Sequence, residues 1–203
     1  MAQCGAWERP NGQFAQEVPT WGSSKNKASI IVAAARILYE RQGIHSTSIT
    51  QIAREIGITR ELFYYYFGNK SEVTEYVMKL YSDEIVALLK QRIENVENEP
   101  DFMRALVGVL REFLYTDDGE SGPRVKVMFE AQGTKGVLLD VAKGVRECMR
   151  QVGGRSRAGD DEAQMLIVEH MVMGVFALLE AHPDLDAELL IRGIDLSYRQ
   201  WRK

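Results

Sequence analysis

From Lys25 onward, apolar residues recur three or four positions apart, and caps and chain breakers interrupt that spacing at sensible intervals. This rhythm matches the 3.6-residue turn of an amphipathic helix, and no stretch shows the period of two that marks a half-buried strand. The chain therefore reads as all-α, with about nine helices. Its 203 residues, 45% hydrophobic and 27% charged, suit one large domain or two small ones and exclude a disordered, collagen-like or repetitive chain.

The first helix is expected from about Lys25 to Arg41, striped by Ile30, Ile31, Ala34, Ile37 and Leu38, with Gly43 placed to cap its end. Ser48-Ile49-Thr50-Gln51 spells a capping box, so a short second helix starts at Ile49 and stops at Gly57. Thr59 caps a third, Arg60 to Phe67. Asn69-Lys70-Ser71-Glu72 spells another capping box and opens a long fourth helix, which its stripe of Val73, Val77, Leu80, Tyr81, Ile85 and Leu88 carries to Pro100. At 1.5 Å per residue that helix spans roughly 40 Å and connects distant parts of the molecule. Further helices fall at about 101–116, 122–132, 134–151, 160–182 and 185–201, separated by Asp117-Asp118-Gly119, Gly133, Gly153-Gly154 and Pro183.

Three regions follow: an N-terminal extension, 1–24, whose Trp7, Phe14 and Trp21 have no periodic spacing; a helix-turn-helix head, 25–70; and a helical body, 71–203. The net charge of −4 argues by itself against a nucleic-acid partner, but the charges are not evenly spread. Residues 25–70 carry seven basic residues (Lys25, Lys27, Arg36, Arg41, Arg54, Arg60 and Lys70) against three acidic ones (Glu40, Glu55 and Glu61), which gives +4. A small basic head on an acidic body is the layout of a protein that meets phosphate at one end only.

Other classes of function find little support. Met165 to Leu179 is the longest apolar stretch, but it is 15 residues long and holds Glu169 and His170, too short to cross a bilayer. MAQCGAWERPNGQF has neither a basic start nor an apolar core, so the expected location is the cytoplasm. Cys4 and Cys148 are far apart and suggest neither a disulfide framework nor a zinc site. His45, His170 and His182 are scattered, and HExxH, GxSxG, a P-loop and GxGxxG after a strand are all missing, so no catalytic, metal or cofactor site is expected.

What the head does offer is a pair of short helices around Gly57-Ile58-Thr59, the turn of a helix-turn-helix in which the second helix enters the major groove. The turn glycine is expected to let the two helices cross closely. Ile52, Ala53, Ile56, Ile58, Phe63 and Phe67 would bury the pair against the first helix, leaving Thr59, Arg60, Glu61, Tyr64 and Tyr65 outside. The tyrosine run cannot all point inward, because consecutive helix positions lie about 100° apart. Ser48, Tyr64, Tyr65 and Lys70 can donate to phosphate oxygens.

Ile31-x-x-Ala34-Ala35-x-x-Leu38, Gly43, Thr47-Ser48-Ile49-x-x-Ile52-Ala53, Gly57-Ile58-Thr59 and Phe63-Tyr64-Tyr65-Tyr66-Phe67-x-x-Lys70-Ser71-Glu72 together resemble the N-terminal domain of TetR/AcrR-type transcriptional regulators. The resemblance covers about a quarter of the chain, and length and helix count fit the remainder. It implies a homodimeric repressor whose C-terminal helices bind a small, largely apolar effector and release operator DNA. It also implies that Ser48, Thr59, Arg60, Tyr64, Tyr65, Tyr66 and Lys70 face that DNA. Tyr66 replaces the common His, and Glu61 stands where a small residue is usual. A carboxylate at that point either accepts from a cytosine amino group or favours the helix start and lowers DNA affinity.

In the body, Met165 to Leu179 is apolar nearly all round, which points to packing on both sides. With Leu189, Leu190, Ile194 and Leu196 on the last helix, and Gly174 permitting close approach, residues of about 160–201 are expected to pair with a second copy as a four-helix bundle. An effector pocket is expected among helices four to eight, lined by Phe102, Met103, Leu106, Phe113, Met128, Phe129, Met149, His170 and Met171.

Overall fold

A computed structural model describes residues 24–96, 99–115, 122–152, 161–182 and 184–201. The N-terminal extension with its aromatics and Cys4, the Asp117-Asp118-Gly119 and Gly153-Gly154 breaks, and Pro183 lie outside the described residues. Nine α-helices are found among the described residues: α1 Ser24–Gln42, α2 Ile49–Glu55, α3 Arg60–Tyr66, α4 Lys70–Arg92, α5 Glu99–Leu114, α6 Pro123–Glu130, α7 Thr134–Val152, α8 Asp161–Ala181 and α9 Ala187–Trp201. None of them is long and apolar enough to cross a membrane.

The starts of the head helices follow the local chemistry. Ser48 Oγ accepts from the Gln51 amide at 3.2 Å while the Ser48 amide donates to Gln51 Oε1 at 2.7 Å, a complete capping box on α2. Thr59 Oγ1 accepts from the Leu62 amide and fixes the start of α3. At α4 the expected capping box is altered: Asn69 accepts from the Glu72 amide, but the Glu72 carboxylate takes the Gly68 amide instead of that of the cap itself. Fourth-helix length also departs from expectation, since α4 ends at Arg92 and Pro100 lies in the first turn of α5. A proline there gives up an amide that no helical carbonyl would have used, so it starts a helix as readily as it stops one. At 23 residues, α4 is about 35 Å long.

One continuous core runs through head and body, from Ile30 and Ile31 on α1 to Ile191 on α9. The hub is α4, which packs most extensively on α7 and also on α1 and α5. Its Val73, Val77, Tyr81, Ile85 and Leu89 are all buried. Gly144 on α7 lets that helix close onto Val86 of α4, where an added Cβ would sit 2.3 Å from Val86 Cγ2.

A buried polar cluster ties α1, α4 and α6 together. Arg36, 9% exposed, donates to Glu40 at 2.9 Å and grips the Glu84 carboxylate with both terminal nitrogens, while Arg124 of α6 approaches Glu84 at 3.5 Å. Tyr81 donates to Glu40 at 3.0 Å beneath the Arg36 guanidinium. Burial works against the Arg36 charge, but Glu84 and Glu40 outweigh it and raise the pKa. Burial, reinforced by the field of Glu40, pushes the Tyr81 hydroxyl up. Arg36 is therefore a bolt inside the protein, and one charge of the +4 counted over the head is not available to a partner.

A second tie involves α6 and the loop between α1 and α2. Glu130 accepts from the Ile44 amide at 2.6 Å, with the His45 amide at 3.5 Å. Gly43, at φ +84°, ends α1 by donating to the Tyr39 carbonyl, and a Cβ there would lie 2.8 Å from the Glu130 carboxylate. Gly43→Ala thus meets both a left-handed backbone and a clash. It is expected to lower stability by about 2 kcal/mol, read from the shift of the urea midpoint at unchanged slope.

Candidate nucleic-acid interface

The candidate docking surface is built on α3 and held from behind. Phe63 and Ile52 are fully buried, Ala53, Ile56 and Phe67 nearly so, and Ile58 is half-buried. Burial of each large apolar side chain contributes about 1.5–3 kcal/mol, so α3 has one strongly preferred rotation. Gly57 in the turn has φ +67°, and among the described residues nothing would touch an added Cβ within 4 Å. Its role is therefore the left-handed backbone that bends α2 into α3, and the expectation that it permits close helix crossing is corrected.

With that rotation fixed, Ser48, Thr59, Arg60, Glu61, Tyr64 and Tyr65 are exposed, and Tyr66 is half-buried. Tyr65 is 77% exposed and stands edge-on to Tyr66. Tyr64 is 46% exposed, set edge-on against Phe63, and the Arg60 guanidinium lies 6.0 Å from its ring centre. The ring holds the cation toward one flank of α3. Glu61 has its carboxyl below the usual range because it accepts from its own amide and from the Thr59 hydroxyl, with a smaller contribution from Arg60.

Lys70 is placed differently from a free surface cation. Its Nζ donates to the Ile44 and Thr47 carbonyls, each at 2.9 Å, so two of its three protons hold the loop that carries Ser48. One ammonium proton is left over from these two bonds. Sequence reasoning missed Tyr76 of α4, which is 53% exposed and packs edge-on at 5.5 Å against Phe67, beside the docking face. Its signal was its place off the Val73 and Val77 stripe.

The residues expected to line an effector pocket separate into two groups. Phe102, Met103, Leu106, Phe113, Met128 and Met171 join the common core, with Met149 half-buried against it. Phe129 is 46% exposed on α6, and His170 is exposed on α8, so the arrangement does not bring these two into that interior. A separate open recess of about 380 Å³ lies between α4 and the start of α7, floored by Met78 and Val137 and rimmed by Thr74, Glu75, Lys79 and Asp140.

Two short helices crossing at a left-handed turn, braced by α1 and followed by an all-helical body, define a helix-turn-helix protein. Residues 31–77 match the family described as bacterial regulatory proteins, tetR family. The chain is 35% identical over 66 residues to the HTH-type transcriptional regulator HbdR of Aromatoleum sp. (strain CIB), covering 32% of this chain and 29% of that one. It is 32% identical over 84 residues to the HTH-type transcriptional regulator AcrR of Shigella flexneri, covering 41% and 36%. These matches span about a third of each relative's length. Over 87% of this chain and 94% of the other, the fold is that of a TetR-family transcriptional regulator from Pectobacterium atrosepticum, with a TM-score of 0.56 at 14% identity. Over its head, the chain is similar to regulators of the TetR/AcrR type.

Proposed function

We propose that this protein is a ligand-responsive, sequence-specific DNA-binding transcriptional regulator, a repressor that a small, largely apolar effector releases from operator DNA. The observation that carries the reading is the exposed surface of α3, where Tyr65 stands opposite the buried Phe63 and Thr59, Arg60 and Tyr64 are exposed beside it. Cations and hydroxyls on a rigidly seated helix are what backbone positioning and base readout require.

A homodimer places two such helices in successive major grooves, about 34–36 Å apart. Leu166, Ile167 and Leu178 on α8 and Leu189 and Leu196 on α9 are large, apolar and 44–62% exposed. Among the described residues, and apart from the helix's own backbone, nothing lies within 4 Å of a Cβ placed on Gly174 or Gly193. Glycine in a helix interior costs about 1 kcal/mol relative to alanine, and a partner helix packed against these positions gives that cost a purpose. Effector release then runs through α4 and α6, which the Arg36–Glu84–Arg124 cluster and Glu130 tie to the head.

The test is a titration against the DNA upstream of the protein's own gene and a scrambled duplex, across a salt series. The expected result is preference for the upstream duplex, with log affinity falling steeply against log salt. Arg60→Ala is expected to cost roughly tenfold or more in affinity for that duplex. Equal affinity for both, untouched by Arg60→Ala, would overturn the reading.

A further inference from the structure

Glu61 places a carboxylate on the exposed face of α3. Successive helix positions are about 100° apart, so Glu61 and Tyr65, two residues to either side of the buried Phe63, both lie within about 20° of the line directly opposite it. They form the outermost ridge of α3, as residues i and i+4. Arg60, drawn over Tyr64, occupies one flank instead. In a helix seated in the major groove, the flanks meet the walls and the ridge meets the base edges. Glu61 therefore faces bases, and its carboxylate, which can only accept, keeps lone pairs beyond those taken by its own amide and the Thr59 hydroxyl, so a base that meets it must offer a donor.

B-DNA offers two donors on its major-groove edge, the N4 amino group of cytosine and the N6 amino group of adenine. Beside adenine N6 stands N7, an acceptor that repels the second carboxylate oxygen. Beside cytosine N4 stands only a C–H. We infer that Glu61 is a specificity-determining residue that selects a cytosine in each half-site by accepting from its N4 amino group. This inference rests on the proposed DNA-reading function and assigns one of its base contacts.

Selection from a randomised duplex pool tests it, with wild type, Glu61→Ala and Glu61→Gln run in parallel. Glu61 is exposed, so both variants are expected to fold. Wild type should enrich a motif with one dominant cytosine per half-site. Glu61→Ala should reduce the preference at that position by roughly ten- to a hundredfold, and Glu61→Gln should move it toward adenine, which suits an amide that both donates and accepts. If both variants keep the wild-type cytosine, or if Glu61→Ala strengthens every sequence equally, Glu61 only repels phosphate and the inference fails while the DNA-reading function stands. If wild type enriches no motif, both fail together.

Discussion

Leu178→Glu combined with Leu189→Glu is expected to yield a folded monomer that has lost nearly all affinity for operator DNA. Both leucines are already exposed, at 44% and 54%, so a charge there costs the single chain little. In a dimer packed through α8 and α9, the same change buries four carboxylates without partners. That cost, several kcal/mol for each unpaired charge, exceeds what the interface supplies. A monomer then holds one half-site alone, and losing the linked second contact lowers affinity by about a thousandfold. Sedimentation equilibrium and an operator titration on the same preparation read both effects. A double variant that stays dimeric would place the interface elsewhere.

Gly144→Val is expected to destabilise the protein by about 3 kcal/mol or more. The α4 and α7 backbones approach here so closely that an added Cβ would lie 2.3, 2.7 and 3.1 Å from Val86 Cγ2, Cγ1 and Cβ. Val86 is β-branched and has no flexible end to swing away, so the helices themselves must part. Because α4 also carries the head through its contact with α1, parting them moves α3 relative to the rest of the chain. Gly144→Ala should therefore weaken operator binding in the fraction that remains folded. Adding Val86→Ala to Gly144→Ala should restore most of both losses, a coupling that urea unfolding of the four variants measures. Additive effects would show that the contact does not set the helix spacing.

The head was legible because its signals are local. Ser48 with Gln51, Thr59 with Leu62, and the left-handed Gly43 and Gly57 all act within a few residues of themselves, and each sits where the sequence places it. Misreadings arose where one residue type serves two uses or where the partner is distant. Pro100 reads as a helix stop and is part of a helix start. Arg36 counts toward the +4 of the head, although its partner Glu84 lies 48 residues away. Glu130 gave no signal, since its acceptor role depends on the Ile44 amide 86 residues earlier. Phe129 and His170 are expected to line an effector pocket, but helix rotation turns both outward. Periodicity specifies a buried stripe well and says little about a single residue at its edge.

The measurement that bears most directly on the account is methylation protection at guanine N7, in the major groove of DNA bound by the full-length protein. Two paired α3 helices should protect two clusters of guanines, related by a dyad and centred one helical turn, about 10–10.5 base pairs, apart. Tyr65→Ala and Arg60→Ala should weaken both clusters together. Protection confined to one cluster, or bound DNA whose guanines all remain reactive, would contradict a dimer that reads successive major grooves with α3.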